Sequence, residues 1–264
     1  VISTNSIYIS GSTSGNLAGS NAGEEDVFLA KYDAAGALVW TRQFGTPAHD
    51  YGNGIALDTA GNAYLSGATT GNLAGTNAGE EDAFLAKFDA SGAQLWTRQF
   101  GTPVYDYGYG IAVDTTGNAY IAGVTLGNLA GPSAGYADAF LAKYDTSGIQ
   151  VWTRQFGTAD DDAGFGVTLD AAGSPYITGY TYGSLGAPNA GDDDAYIAKF
   201  TASGTLLWSE QIGASGFDEG WGAAADSLGN IYVAGLTDGS LGGPNAGNWD
   251  AFLAKFGTSC YANC

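Results

Sequence analysis

The stretch WTRQFGT at residues 40–46 returns at 96–102 and again at 152–158, and WSEQIGA holds the same place at 208–214. Trp40, Trp96, Trp152 and Trp208 are therefore 56 residues apart each time. Self-similarity at one fixed period of tens of residues marks an array of like units, each burying its faces against its neighbours.

Working outward from that stretch, residues 54–101 make one unit: GIALDTAGNAYLSGATTGNLAGTNAGEEDAFLAKFDASGAQLWTRQFG. Four short runs stand out, GIALD, AYLSGAT, DAFLAKF and AQLWTRQF. Each alternates its side chains with the two-residue period of a strand and is bounded by Gly, Asn, Asp or Ser; none has helical spacing. AGN at 60–62 and DASG at 89–92 are tight-turn signals that join antiparallel neighbours. Four antiparallel strands per unit, stacked in series, predict an all-β fold, a β-propeller with one unit per blade. The third strand recurs five times, Asp26 to Lys31, Asp82 to Lys87, Asp138 to Lys143, Asp194 to Lys199 and Asp250 to Lys255. The expectation is one domain over 1–264, a five-bladed β-propeller of four-stranded blades with GIALD-type strands innermost and WTRQF-type strands outermost. The first and last blades are each a strand short in sequence, which leaves Val1–Ser3 and the tail Gly257–Cys264 to close a ring.

The pattern GxGIAxDxxGNAYxxG, followed by DAFLAKYDxxGxxxWTRQFGT, resembles the bacterial β-propeller repeat family, often called seven-bladed β-propeller repeats. Its GIAxDxxGNAY portion is also similar to the NHL-type propeller repeat. The likeness covers nearly the whole chain, although the family name's blade number differs from the five copies here. It implies a secreted or surface-associated bacterial protein of a kind common in cyanobacteria and other environmental bacteria. It supplies no shared activity.

Against 8 Lys and Arg stand 27 Asp and Glu, a balance of −19 that repels nucleic acid phosphates and anionic lipid headgroups and attracts cations. Protein or glycan surfaces are the expected partners, not nucleic acid. No apolar run approaches the roughly 20 residues that cross a bilayer, so no direct membrane insertion is expected. The lack of any Met, even at position 1, suggests a chain trimmed of a secretory leader and a secreted or cell-surface location. Cys260 and Cys264, in CYANC, are close enough for a small disulfide loop, with free thiols as the alternative.

Asp50, Asp106, Asp162 and Asp218 lie in the loops leading to the innermost strands, within HDYGNG, YDYGYG, DDAGFG and FDEGWG. They are candidates to bind a cation or a sugar hydroxyl at the propeller mouth, with Tyr51, Tyr105, Tyr107, Tyr109, Phe165 and Trp221 stacking on a sugar ring. The other reading is a turn-capping Asp beside aromatics that fill the wedges between blades. Asp26, Asp82, Asp138, Asp194 and Asp250 precede the third strands and are candidate calcium ligands, against a simple hydrogen bond at the strand start.

Lys31, Lys87, Lys143, Lys199 and Lys255 share one repeat position and Arg42, Arg98 and Arg154 another, with Glu210 in the fourth copy. These cations read as blade-to-blade pairing: Lys87 is expected across the Trp96 indole with its ammonium on a carboxylate. His49 is the only His, so no Ser-His-Asp or Cys-His set can be assembled. Nearly identical blades suit repeated binding or scaffolding better than one catalytic pocket of distinct roles. The expected function is a non-enzymatic binding or scaffolding module; a multivalent carbohydrate-binding lectin is the alternative, and a channel-centred glycosidase a third reading.

Overall fold

In the unit over residues 54–101, alternation and turn chemistry lay down four strands and the turns between them. Asp58 closes the first turn by accepting from the amides of Ala60 and Asn62, at 3.0 and 2.9 Å, and Asp89 does the same for Ser91 and Ala93, at 2.8 and 2.9 Å. Gly61 and Gly92 complete these turns at φ +80° and +83°, a conformation that costs a residue with a side chain about 1–2 kcal/mol.

The computed structural model describes residues 1–3 and 5–257. They form five antiparallel sheets. The first holds β1 (Ile2–Ser3), β2 (Ser6–Thr13), β3 (Asp26–Asp33) and β4 (Leu38–Phe44), and the second β5 (Asp50–Leu57), β6 (Ala63–Thr69), β7 (Asp82–Phe88) and β8 (Gln94–Phe100). The third holds β9 (Asp106–Val113), β10 (Ala119–Thr125), β11 (Asp138–Tyr144) and β12 (Gln150–Phe156). The fourth holds β13 (Asp162–Leu169), β14 (Pro175–Thr181), β15 (Asp194–Phe200) and β16 (Leu206–Ile212), and the fifth β17 (Asp218–Ala225), β18 (Ile231–Thr237) and β19 (Asp250–Phe256). There is no helix among the described residues, and hence none to cross a membrane.

Within each sheet the strands pair in chain order, and β5, β9, β13 and β17 pack against one another in succession. The arrangement is propeller-like, with the GIALD-type strands on the inside. Of the two segments expected to close a ring, Ile2–Ser3 pairs with β2 of its own sheet, and most of the tail, with Cys260 and Cys264, lies outside the described residues.

Apolar cores lie between sheets, as a stack of two-faced units requires. One joint buries Tyr64, Ala83 and Leu85 of the second sheet against Ile121, Phe140 and Tyr144 of the third. The outer strands add a polar clasp. Arg98 donates from Nε to the carbonyl of Gly148 at 2.8 Å and from Nη2 to that of Ser147 at 3.0 Å, both in the next sheet's turn. The Trp96 indole N–H reaches the Thr146 carbonyl of the same turn at 3.2 Å, and Lys87 Nζ approaches it at 3.4 Å. Arg42 and Arg154 repeat the clasp on Gly92 and Gly204.

The blade-to-blade role expected of the cations is thus present, but the ring under Lys87 differs from the expected one. Lys87 stands between two register partners, Tyr64 on β6 and Trp96 on β8, and its ammonium lies 4.7 Å from the centre of the Tyr64 ring and 3.9 Å from Asp58 Oδ2, while Arg98 covers Trp96 at 5.4 Å. Both aromatics are directly opposite Lys87, and the Arg98 guanidinium already over Trp96 leaves the Tyr64 ring to the lysine.

Candidate functional site

Residues 105, 107 and 109 alternate from the residue before β9 into its start, so the two-residue period puts Tyr105, Tyr107 and Tyr109 on one side. Their rings form a ladder, 6.1 Å and then 6.0 Å between centres, with interplanar angles of 6° and 15°. From Tyr109 the path continues edge-on to Phe165 at 5.2 Å, and Phe165 stacks on Trp221 of the fifth sheet at 4.8 Å and 28°. On the second sheet Tyr51 stacks with His49 at 5.8 Å.

The intervening glycines let the inner strands approach this closely. A Cβ on Gly110 would meet the Phe165 carbonyl oxygen at 2.5 Å, and one on Gly54 would overlap the Tyr109 carbonyl. Ser66 donates to that same carbonyl at 2.8 Å, and the Asn53 side-chain amide donates to the Gly108 carbonyl at 3.0 Å. The strands enclose a cleft of about 540 Å³ lined by Asn53, Tyr109, Phe165 and Trp221 over a floor of glycine and aliphatic side chains. Trp221 is 55% exposed and gives the cleft an open aromatic face. Burial, and then the neighbouring Glu81 carboxylate, push the Tyr107 hydroxyl well above its ordinary range, so it remains a hydrogen-bond donor.

The structure separates the expected aspartates from this cleft. Asp50, Asp106, Asp162 and Asp218 are fully buried. Asp106 Oδ2 accepts from the Thr102 amide at 2.6 Å and the Thr102 hydroxyl at 2.8 Å, and Asp50 and Asp162 hold Thr46 and Thr158 in the same way. These acids tie down the loop before each inner strand, which is the turn-capping reading. Burial raises Asp50, Asp106 and Asp162 above the usual carboxylate range, with threonine hydrogen bonds opposing it.

Asp26, Asp82, Asp138, Asp194 and Asp250 stand one per sheet at the start of β3, β7, β11, β15 and β19. Asp82 Oδ2 accepts from the Ala78 amide and the Gln99 side-chain amide, both at 2.9 Å, and Asp26, Asp138 and Asp194 repeat this pattern. The five do not converge on a common point. Among the described residues no three acidic, His or Cys side chains are grouped to hold a metal ion. Asn53 and Ser66, which order the cleft wall, escaped sequence reading because neither residue runs through the copies; Asn53 is matched by Tyr109, Phe165 and Trp221, and Ser66 by Ser10 but then by Ala122, Thr178 and Ala234.

Residues 39–74, 95–130 and 207–243 match a family described as a beta-propeller repeat. The chain is 30% identical over 175 residues to the regulatory protein FlaEY of Caulobacter vibrioides, covering 60% of this chain and 18% of that protein. It is 28% identical over 168 residues to an uncharacterized WD repeat-containing protein of Acanthamoeba polyphaga mimivirus, covering 52% of this chain and 12% of that one. The chain thus spans less than a fifth of the length of these curated relatives. Among solved structures, a Bacteroides caccae protein of unknown function aligns with a TM-score of 0.48 at 14% identity, over 78% of this chain and 61% of that one.

Proposed function

We propose that this chain, built of beta-propeller repeats, supplies five blades to a secreted or surface-associated binding module whose cleft takes a flat, hydroxylated ring such as a glycan unit. The observation that carries this reading is the aromatic path from Tyr105 to Trp221 across three inner strands. Stacked rings with an exposed indole offer π-faces to the apolar face of a sugar, while Asn53 and the glycine-floored backbone bring polar groups within reach of hydroxyls. The cleft lining carries no carboxylate, His or Cys. Glycoside hydrolysis needs two carboxylates flanking the bond, so the lining supports binding over that chemistry.

The test is fluorescence titration with a panel of neutral and acidic oligosaccharides, read through the tryptophans. Saturable quenching by at least one glycan is expected, with affinity reduced about 10-fold or more in Trp221→Ala, the loss of one stacked ring contact and its burial. Failure of the whole panel to bind, or binding that survives in Trp221→Ala, would sink the reading.

A further inference from the structure

Charge is segregated between the two ends of the inner strands. Each third strand begins with an Asp beside the start of the next inner strand, as Asp82 stands beside Asp106, and carries its Lys five residues on, about 16 Å away at the roughly 3.3 Å rise of a strand. Every Lys sits over the second-strand tyrosine of its own sheet, as Lys87 and Lys143 do at 4.7 and 4.8 Å from the ring centre. Arg42, Arg98 and Arg154 are held on the turns that follow the third strands. These are all eight Lys and Arg of the chain, so the end at which the inner strands start carries none of them.

That end carries carboxylates instead. Glu25, Glu81 and Asp193 pair through short backbone bridges with His49, Tyr105 and Phe217 of the following sheet, and Glu219 accepts the Trp221 indole N–H at 2.9 Å. Among the described residues the one ion-pair partner of these acids is His49, 3.4 Å from Glu25. They face the aromatics of the cleft. After burial, the charges of Glu25 and Glu81 raise the Tyr51 hydroxyl, Glu81 raises Tyr109, and Asp161 and Glu219 raise Tyr180. Glu81 is only 9% exposed, and its Oε2 is buried with no hydrogen-bond partner. Such an oxygen costs free energy until a ligand supplies a donor. Beside it the ladder of Tyr105, Tyr107 and Tyr109 offers π-faces, which attract cations as well as sugar rings.

We infer, on the premise that the cleft stacks a sugar ring, that this ring carries a free amine: the ligand class is an oligosaccharide of amino sugars whose ammonium groups meet Glu81 and Glu219. A ring stacked on the aromatics holds its substituents at its edge, where these carboxylates flank Tyr109 and Trp221. An ammonium there supplies the donor that Glu81 Oε2 lacks, and a counter-charge that this end otherwise has in His49 alone. A sugar carboxylate meets like charge at the same place and is rejected. N-acetylation removes the attraction by removing the charge.

Isothermal titration calorimetry on the whole chain tests this with three β-1,4-linked tetramers, of glucosamine, of N-acetylglucosamine and of glucose, which differ at one ring position. At about pH 6 and low salt the glucosamine tetramer is expected to bind at least about 5-fold tighter than the other two, a margin that shrinks as sodium chloride is raised. Glu81→Gln and Glu219→Gln should each remove most of that margin while leaving the glucose tetramer within about 2-fold of its wild-type affinity. Glu219 is half-buried, so its variant carries the comparison should Glu81→Gln fail to fold. Glu210→Gln, on the outer strand β16, changes the net charge equally and should leave the margin intact. Equal binding of the glucosamine and glucose tetramers overturns the inference and leaves the stacking of a sugar in place. No binding of the glucosamine tetramer overturns it as well, and the wider glycan panel then decides the stacking separately. A margin that survives in both variants, or that falls as far in Glu210→Gln, places the attraction in the net charge of −19 and overturns it too.

Discussion

Asp193 carries the chain's clearest titration signal. It is 1% exposed, and its Oδ1 accepts the Asp218 amide at 2.9 Å across the joint between the fourth and fifth sheets. Burial pushes its carboxyl up to about 7, the Asp218 amide opposes that shift, and the charges of Glu219, Asp218 and Asp194 add to it. The folded protein therefore keeps a proton that the unfolded chain gives up near pH 4. Stability contributed at acid pH is lost as pH rises from there to about 7. Asn keeps the acceptor and removes the charge, and Ala137 already holds this position without charge in the third sheet. Asp193→Asn should stabilise the protein by on the order of 2 kcal/mol near pH 8 and by little near pH 4, measured by urea unfolding. Equal effects at the two pH values would separate Asp193 from this titration. Gly123 sets the opposite constraint: a Cβ there would overlap the Tyr107 carbonyl and press into the Phe140 ring. Gly123→Ala should cost roughly 3 kcal/mol. At Gly11, where the only conflict is the Phe28 ring at 2.9 Å, the same change should cost clearly less in the same assay.

At the scale of the element, the joint is the unit that varies. Three joints carry the Arg clasp; the fourth has Glu210, which cannot donate to the turn before Asn230. Arg98→Ala removes two hydrogen bonds across a joint and the cover over Trp96, and should cost about 1–2 kcal/mol. Glu210→Arg should supply the missing donors and raise the melting temperature, and no gain there would mean that the fourth turn is not presented as the other three are. Strands and turns were legible in sequence because alternation and Asp-x-x-Gly signals act within one repeat. The partner of each Arg was not, since Arg98 and Gly148 are 50 residues apart and meet only once two sheets are stacked. The cleft was half legible: the aromatics show by their spacing, but burial of Asp50, Asp106 and Asp162 depends on threonines contributed by the preceding loop and, at Asp50, on Thr69.

Across the whole molecule these buried acids act in one direction. Asp26 raises Asp50 through its charge, Asp82 raises Asp106 and Asp138 raises Asp162, each adding to burial, so three joints repeat one arrangement of two neighbouring carboxylates. At the fourth joint Asp193 and Asp194 are raised as well. Every one of these shifts favours the protonated carboxyl in the fold, so between the unfolded value near pH 4 and the raised folded values the native state binds more protons than the unfolded chain. The net charge of −19 adds self-repulsion that also grows as the carboxylates ionise. The melting temperature should accordingly be higher at about pH 5 than at about pH 8. Salt separates the two contributions, because it screens exposed charges over a Debye length of about 8 Å at physiological strength and reaches buried pairs much less. Sodium chloride should therefore recover only part of the stability lost at pH 8, and Asp193→Asn should recover a further share in the presence of that salt. A melting temperature that is flat or rising from pH 5 to pH 8 would contradict the raised carboxyl of Asp193, and full recovery by salt alone would assign the pH dependence to the exposed surface.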